Sequence, residues 1–215
     1  MTEPRPGTRN STIDRLARAA LSPEGNDLRK AILTAFVKRG SAPSVHEIAH
    51  GLARPAGEVL EGVRKLAAYD LIVWMEDEAR LVSAYPFSGV PTAHHVLIDG
   101  HTILYAMCAI DALGIPFMLG QGAKIRSRCF FCQQPVLVDV HGGALQEASP
   151  LTTVVWFSER DGCCVAEARC PLMNFFCHEG HLHVWLTTSP GERGTALSVR
   201  EAVNVGKAIF GELLR

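Results

Sequence analysis

Residues 105–120 read YAMCAIDALGIPFMLG, an apolar run that contains one thiol, Cys108, and one carboxylate, Asp111. The spacing of its apolar residues predicts a helix through YAMCAIDALGIP. Gly114 and Pro116 are expected to end this helix, because glycine and proline are common at helix ends. This raises the question whether the acid beside the thiol takes part in a reaction or is only a polar residue in a packed core.

The regions on both sides of this helix are rich in strand patterns. Before it, HHVLID and HTILYAM lie on either side of an Asp99-Gly100 turn, which predicts a hairpin. After it come five strand-like runs: AKIRSRC, PVLVDV, TTVVWF, LMNFFC and LHVWLTT. A last helix is predicted over 198–214, with Ser198 and Glu201 as a capping box. The pattern indicates an α+β fold in which a mixed sheet packs with helices.

The first part of the chain has a different pattern. Residues 1–10 are polar and are expected to be disordered. Four helices are predicted, over 11–21, 26–40, 44–53 and 56–71, and the third opens with a capping box of Ser44 and Glu47. Two strand patterns, LIVWMED and ARLVSAYPF, then flank Asp77 and Glu78. Helices followed by a β-wing predict a winged-helix-like module over 11–84.

Winged helices often bind DNA, so the charge of this module matters. Between 44 and 80 there are four basic residues: Arg54, Arg64, Lys65 and Arg80. The same segment has seven acidic residues: Glu47, Glu58, Glu61, Asp70, Glu76, Asp77 and Glu78. A net negative segment is unsuited to phosphate contacts. We therefore expect a structural module rather than a DNA-binding domain.

The composition is that of a globular protein. The 215 residues are 47% hydrophobic and 20% charged, with a formal net charge of −1. Such a balance predicts no general attraction to nucleic acid or to an anionic membrane. The polar start, MTEPRPGTRN, does not resemble a signal peptide, and the apolar runs are too short to span a bilayer. A cytoplasmic location is the expectation.

Seven cysteines lie in the second half of the chain: Cys108, Cys129, Cys132, Cys163, Cys164, Cys170 and Cys177. The number is odd, the chain is not small, and no export signal is visible, so a disulfide framework is not expected. Reduced thiols point instead to metal binding, redox work or nucleophilic chemistry.

Cys108 and Asp111 are three residues apart. If 105–113 is helical, their side chains are neighbours on one face, with Cβ atoms about 5–6 Å apart. A buried carboxylic acid has a raised pKa and can donate a proton near neutral pH. The alternative is a core cysteine beside a polar residue near a helix end, and the pair alone does not exclude it.

Four segments, taken in order, resemble the alkylmercury lyase family. They are YPFSGVPTAHHV (85–96), YAMCAIDALGIPFMLG (105–120), RCPLMNFF (169–176) and SVREAVNVGKAIFGELL (198–214). The resemblance covers about 85–215 and implies a catalytic domain there. The winged-helix-like module then corresponds to the family's accessory domain.

The resemblance implies a set of three catalytic residues. The first family cysteine matches Cys108, the aspartate matches Asp111, and the second cysteine matches Cys170, which stands just before PLMNFF. We considered Cys177 for the last role, but it would shift the match of NFF. Many family members have two adjacent cysteines at the second site, whereas Cys170 is followed by Pro171.

The family's activity is protonolysis of a carbon–mercury bond, which gives a hydrocarbon and Hg(II). Cys108, Cys170 and Asp111 would then contact the substrate or product mercury, since thiolates are natural ligands of soft metals. No bound cofactor is expected, only reduced cellular thiols. The expected partners are the organomercurial substrate and a mercuric reductase that receives Hg(II).

Two further groups of residues could bind a metal. Cys129 and Cys132, together with Cys163 and Cys164, could form a structural zinc site, although the spacing is not that of a known finger. His181 and His183 would lie on one face of a strand, where Cys177 or His178 could join them. A filled core and a solvated strand face are the respective alternatives.

Two functions of different classes follow from these patterns. The first is an organomercurial lyase. The second is a non-catalytic thiol-based metal-binding or sensing protein on the same scaffold. The set of Cys108, Asp111 and Cys170 favours the enzyme, because a protein that only binds metal has little use for the acid.

Overall fold

The structure is a computed structural model that describes residues 21–100, 102–159 and 169–214. The disorder expected for 1–10 and the helix expected over 11–21 therefore lie outside the described residues. The described part is an α+β protein with an eight-stranded sheet, a three-stranded sheet and helices, which confirms the predicted class.

The N-terminal part has the predicted order of elements. Its helices are α1 (Pro23–Arg39), α2 (Val45–Leu52) and α3 (Ala56–Ala68), followed by the strands β1 (Ile72–Met75) and β2 (Arg80–Ala84). The Ser44 and Glu47 capping box is present at the start of α2. Helix α1 packs through a buried apolar stripe of Leu28, Ile32, Leu33 and Phe36. The winged-helix arrangement of these elements stays a prediction.

The large sheet is antiparallel at every strand pair, so it is not the mixed sheet that the sequence predicted. Its other strands are β3 (Phe87–Ser88), β4 (His94–Ile98), β5 (Thr102–Ala106), β6 (Ala123–Arg128), β7 (Pro135–His141) and β8 (Ala144–Ser149). The strand order is β1-β2-β3-β5-β4-β6-β7-β8. The N-terminal hairpin therefore continues directly into the sheet of the second half, with Ala84 paired to Phe87.

Helix α4 (Ala109–Leu119) connects β5 to β6 and packs on α6 (Val199–Phe210). The two helices lie close together at Gly114 and Gly206, where a Cβ on Gly114 would lie 2.9 Å from the Gly206 carbonyl oxygen. The prediction that Gly114 and Pro116 end this helix is wrong, since it ends at Gly120 in a left-handed conformation. Burial of every residue from 109 to 118 offsets the hydrogen bond lost at Pro116.

The small sheet comprises β9 (Val154–Ser158), β10 (Phe175–Phe176) and β11 (Gly194–Ser198), with β9 in the centre. The strand predicted at LMNFFC is shorter than expected, because Cys170–Leu172 forms a 3-10 turn before β10. Ser198 and Glu201 form the predicted capping box of α6.

The strand predicted at LHVWLTT is wrong. These residues belong to helix α5 (Glu179–Thr188). Leu182, Trp185 and Leu186 have helical spacing and pack into a second, smaller core. His181 and His183 therefore do not share a face of a strand.

Among the described residues, the helices are all too short or too polar to pass through a lipid bilayer.

Candidate active site

Cys108 lies between strand β5 and helix α4. It is the N-cap of α4, with φ −152° and ψ 177°, rather than a residue inside the helix as the sequence predicted. Its sulfur accepts a hydrogen bond from the backbone N–H of Asp111 at 3.4 Å. An N-cap side chain and the third helical residue meet in this way. Cys108 and Asp111 are therefore close together, as predicted, but through an N-cap contact rather than through a shared helix face.

Asp111 lies in the first turn of α4 and is 4% exposed. Burial raises the pKa of its carboxyl group to about 7, although hydrogen bonds from Cys108 and Cys170 act in the opposite direction. A pKa near neutrality lets one carboxyl group both accept and donate a proton.

Cys170 lies beside Asp111 although it comes 59 positions later in the sequence. It begins the 3-10 turn before β10, and the backbone N–H of Ala109 donates to the carbonyl oxygen of Met173 at 2.9 Å. This bond joins the residue after Cys108 to the end of the turn that begins at Cys170. The two cysteines are thus held together by backbone contacts as well as by packing.

We name Cys108, Asp111 and Cys170 the acid–thiol cluster. Their two sulfur atoms and a carboxylate oxygen all lie within 4.8 Å of one another. The Cys170 thiol donates to Oδ2 of Asp111 at 3.7 Å. The cysteines are 1% and 3% exposed, so the cluster is buried. It combines two soft ligands with one acid and can hold a soft metal ion next to a proton donor.

Both thiols of this cluster favour the protonated state. Burial raises the pKa of Cys108 well above its usual value, and the nearby Cys170 and Asp111 add to the effect. A hydrogen bond with Cys108 lowers the pKa of Cys170, but burial and Asp111 outweigh it, so that pKa is raised as well. Metal binding must therefore displace a proton from each thiol.

Tyr85 is a neighbour of the cluster that sequence reasoning missed. Its side chain is 2% exposed, and its hydroxyl makes no standard hydrogen bond to the described residues. Burial raises the pKa of Tyr85, and Cys170, Asp111 and Cys108 raise it further. The hydroxyl in turn lowers the pKa of Cys170. Only its place in YPFSGVPTAHHV, just before β3, could have drawn attention to it.

Cys177 is not part of the acid–thiol cluster. It belongs to a second group, which we name the histidine–thiol cluster: Cys129, Cys132, Cys177 and His181. Their ligand atoms also lie within 4.8 Å of one another. The sequence proposed Cys163 and Cys164 as partners of Cys129 and Cys132, and those two residues lie outside the described part of the chain.

The environment of Cys129 differs from that of Cys177. Burial raises the pKa of Cys129, but hydrogen bonds from the backbone of Cys132, Cys177 and Phe131 and from His181 bring it to about 6. Burial and the neighbouring thiols raise the pKa of Cys177 to about 12. All five cysteines that the structure describes are free thiols.

Comparison with known proteins identifies one family. The family model for alkylmercury lyase matches residues 87–211. An alkylmercury lyase from Bacillus cereus is 27% identical over 199 residues, which cover 91% of this chain and 88% of the relative. An alkylmercury lyase from Streptomyces lividans is 29% identical over 183 residues, which cover 85% of this chain and 81% of the relative.

A solved structure shares the fold. It is described as the mercury-bound form of MerB2, and it superposes with a TM-score of 0.80 at 24% sequence identity, covering 96% of this chain and all of the other. Because the family model spans more than half of the sequence and the relatives match along most of their length, the chain belongs to the alkylmercury lyase family of enzymes.

Proposed function

We propose that the protein is an organomercurial lyase that cleaves the carbon–mercury bond by protonolysis. The observation that carries this proposal is the acid–thiol cluster, in which two thiols and one carboxyl group lie within 4.8 Å and are buried. Its relatives are named alkylmercury lyases, which supports the substrate class.

The first step is transfer of R–Hg⁺ from a small thiol to Cys108. The incoming organomercurial thiolate gives its metal to the Cys108 sulfur, and the Cys108 proton leaves with the small thiol. The N-terminus of α4 and the backbone N–H of Asp111 face this sulfur and stabilise the thiolate.

The second step adds Cys170 to the mercury. Its proton passes to Asp111 along the existing hydrogen bond to Oδ2. The new thiolate donates electron density to mercury, which weakens the bond to carbon and makes the carbon more basic. Asp111 is then a neutral acid beside the metal.

The third step breaks the carbon–mercury bond. Asp111 gives its proton to carbon, and the electron pair of the bond stays with carbon, so a hydrocarbon leaves. Mercury remains Hg(II), bound by two thiolates, and Asp111 is again a carboxylate. No redox change occurs, and no resident cofactor takes part.

Product release needs external thiols. Two small thiols take Hg(II) and return the protons to Cys108 and Cys170, which restores the enzyme. The cytoplasm supplies such reduced thiols, and it is the location that we propose for the protein. A mercuric reductase is the proposed consumer of Hg(II), because the released ion otherwise binds other thiols.

The direct test is hydrocarbon release from methylmercury or phenylmercury in excess thiol. Methane or benzene should appear together with an equal amount of Hg(II), and more than one equivalent should form per chain. Tight mercury capture without hydrocarbon would overturn the proposal and favour the alternative, a non-catalytic metal-binding protein.

A further inference from the structure

The histidine–thiol cluster is separate from the proposed chemistry and has the geometry of a metal site. The sulfur atoms of Cys132 and Cys177 are 3.7 Å apart, and Cys129 Sγ is 3.7 Å from Nδ1 of His181. Cys177 Sγ lies 3.0 Å from the same nitrogen. A tetrahedral zinc ion with Zn–S bonds of about 2.3 Å separates its sulfur ligands by roughly 3.8 Å. The Cys132–Cys177 separation matches this value, and the Cys129–His181 separation is close to the roughly 3.6 Å expected between a sulfur and a nitrogen ligand.

The ligands come as two short-range pairs on different elements. Cys129 and Cys132 lie in the turn between β6 and β7, where Cys129 donates its N–H to Gln134 and Gln133 donates to Cys129. Cys177 follows β10, and His181 lies in the first turn of α5. Spacings of two and three intervening residues are typical of zinc ligands.

Backbone contacts hold the two pairs in register. The N–H of Phe130 donates to the carbonyl oxygen of Phe175 at 2.8 Å, which joins the turn to β10. Cys129 and Cys177 are 0% and 1% exposed, and both belong to the second core. Among the residues that the structure describes, this core has six buried members, which is few for stability by packing alone.

We propose that Cys129, Cys132, Cys177 and His181 bind a zinc ion that fastens the β6–β7 turn to β10 and α5. Three thiolates and one imidazole complete a tetrahedral shell, which leaves no position for a substrate. Such a closed set is characteristic of structural zinc sites. None of these four ligands is an acid, so the set lacks the proton donor of the acid–thiol cluster.

Metal analysis of the whole purified chain tests this directly. We expect one zinc ion per chain when the protein is produced with added zinc and purified without chelator. Cobalt should replace zinc and give the strong visible absorption of a tetrahedral ion together with thiolate-to-cobalt charge transfer. A strong chelator should lower the thermal midpoint.

Variants separate the ligands from their neighbours. Cys132→Ser and His181→Ala should each weaken zinc binding by at least about 10- to 100-fold. That is the typical loss when only a residue that hydrogen-bonds to a metal ligand is changed. His181→Cys should keep the zinc. His183→Ala, an exposed change on the same helix, and Cys170→Ser in the other cluster should leave the zinc content unchanged.

Several outcomes would overturn the inference. One is wild-type protein that holds no zinc and gives no tetrahedral cobalt spectrum. Another is zinc that persists in both His181→Ala and Cys132→Ser. A disulfide between Cys132 and Cys177 in freshly purified protein, or binding of Hg(II) but not zinc, would equally exclude it. These readouts do not depend on lyase activity, so they fail or succeed independently of the proposed function.

Discussion

The acid–thiol cluster and the histidine–thiol cluster differ in the group that accompanies the sulfur atoms. The first has two thiols and a carboxyl group, and all three residues are buried. The second has three thiols and an imidazole, with Cys132 exposed. In the proposed mechanism, a pair of thiolates leaves mercury open to another bond and has an acid beside it. In the proposed zinc site, four ligands surround the metal completely, so the same thiol chemistry would support turnover in one place and stability in the other.

The largest expected effect comes from exchanging a thiol for a hydroxyl in the acid–thiol cluster. Cys108→Ser and Cys170→Ser should each reduce hydrocarbon release to background, because a hydroxyl is a poor ligand for a soft metal. Cys177→Ser should keep most of the cleavage rate per folded molecule. The measurement is gas or benzene release, normalised to the folded fraction. Loss in Cys177→Ser with normal rates in Cys170→Ser would reverse the roles of the two clusters.

Asp111→Asn should separate mercury binding from cleavage. The amide has nearly the same size but cannot give a proton as a carboxylic acid does, so we expect a loss of about 10²- to 10⁴-fold in rate. Single-turnover release of hydrocarbon from loaded protein, with bound mercury measured in parallel, checks this. Glu179→Gln, beside the histidine–thiol cluster, is the matched control. A wild-type rate in Asp111→Asn would show that the proton has another source.

The stability of the protein should depend on pH through Asp111. Its pKa is raised to about 7 in the folded chain and is about 3.9 when unfolded, so the native state binds this proton more tightly. Its contribution is complete below about pH 4 and is lost as the pH rises through 7. The free energy of unfolding of wild type minus that of Asp111→Asn should therefore fall over this range in urea titrations. A flat difference would contradict the raised pKa.

Tyr85→Phe should have the smallest effect. Removing the hydroxyl takes away an interaction that lowers the pKa of Cys170, so thiolate formation becomes harder. We expect a loss of about 2- to 10-fold in rate, the size of a single weak polar interaction. The check is the pH profile of single-turnover cleavage, which should move to higher pH. Tyr69→Phe, an exposed change, should leave it in place.

The sequence allowed prediction of elements with strong local signals. Both capping boxes, at Ser44 and Ser198, are present because they depend on residues three positions apart. The prediction failed at LHVWLTT, where a short apolar alternation fits a strand as well as a helix, and tertiary packing of Leu182 decides. At Pro116, complete burial of α4 outweighed a local signal for helix termination.

The histidine–thiol cluster shows why part of the site information is not local. Cys129 and His181 are 52 positions apart, and their contact depends on the pairing of strands and on the start of α5. Sequence reasoning found Cys129 with Cys132, and Cys177 with the histidines, but as separate groups. Only the fold joins the two halves.

The close contact between Gly114 and Gly206 places α6 directly against the first half of α4. A Cβ on Gly206 would lie 2.9 Å from the carbonyl oxygen of Ile110, in the turn that carries Asp111. During synthesis, Cys108 and Cys170 leave the ribosome before α6, so α4 has one uncovered face until α6 docks. We therefore expect Cys108 and Cys170 to be more accessible to a soft metal before α6 docks than after. Alkylation of chains arrested before and after α6 has left the ribosome tests this expectation.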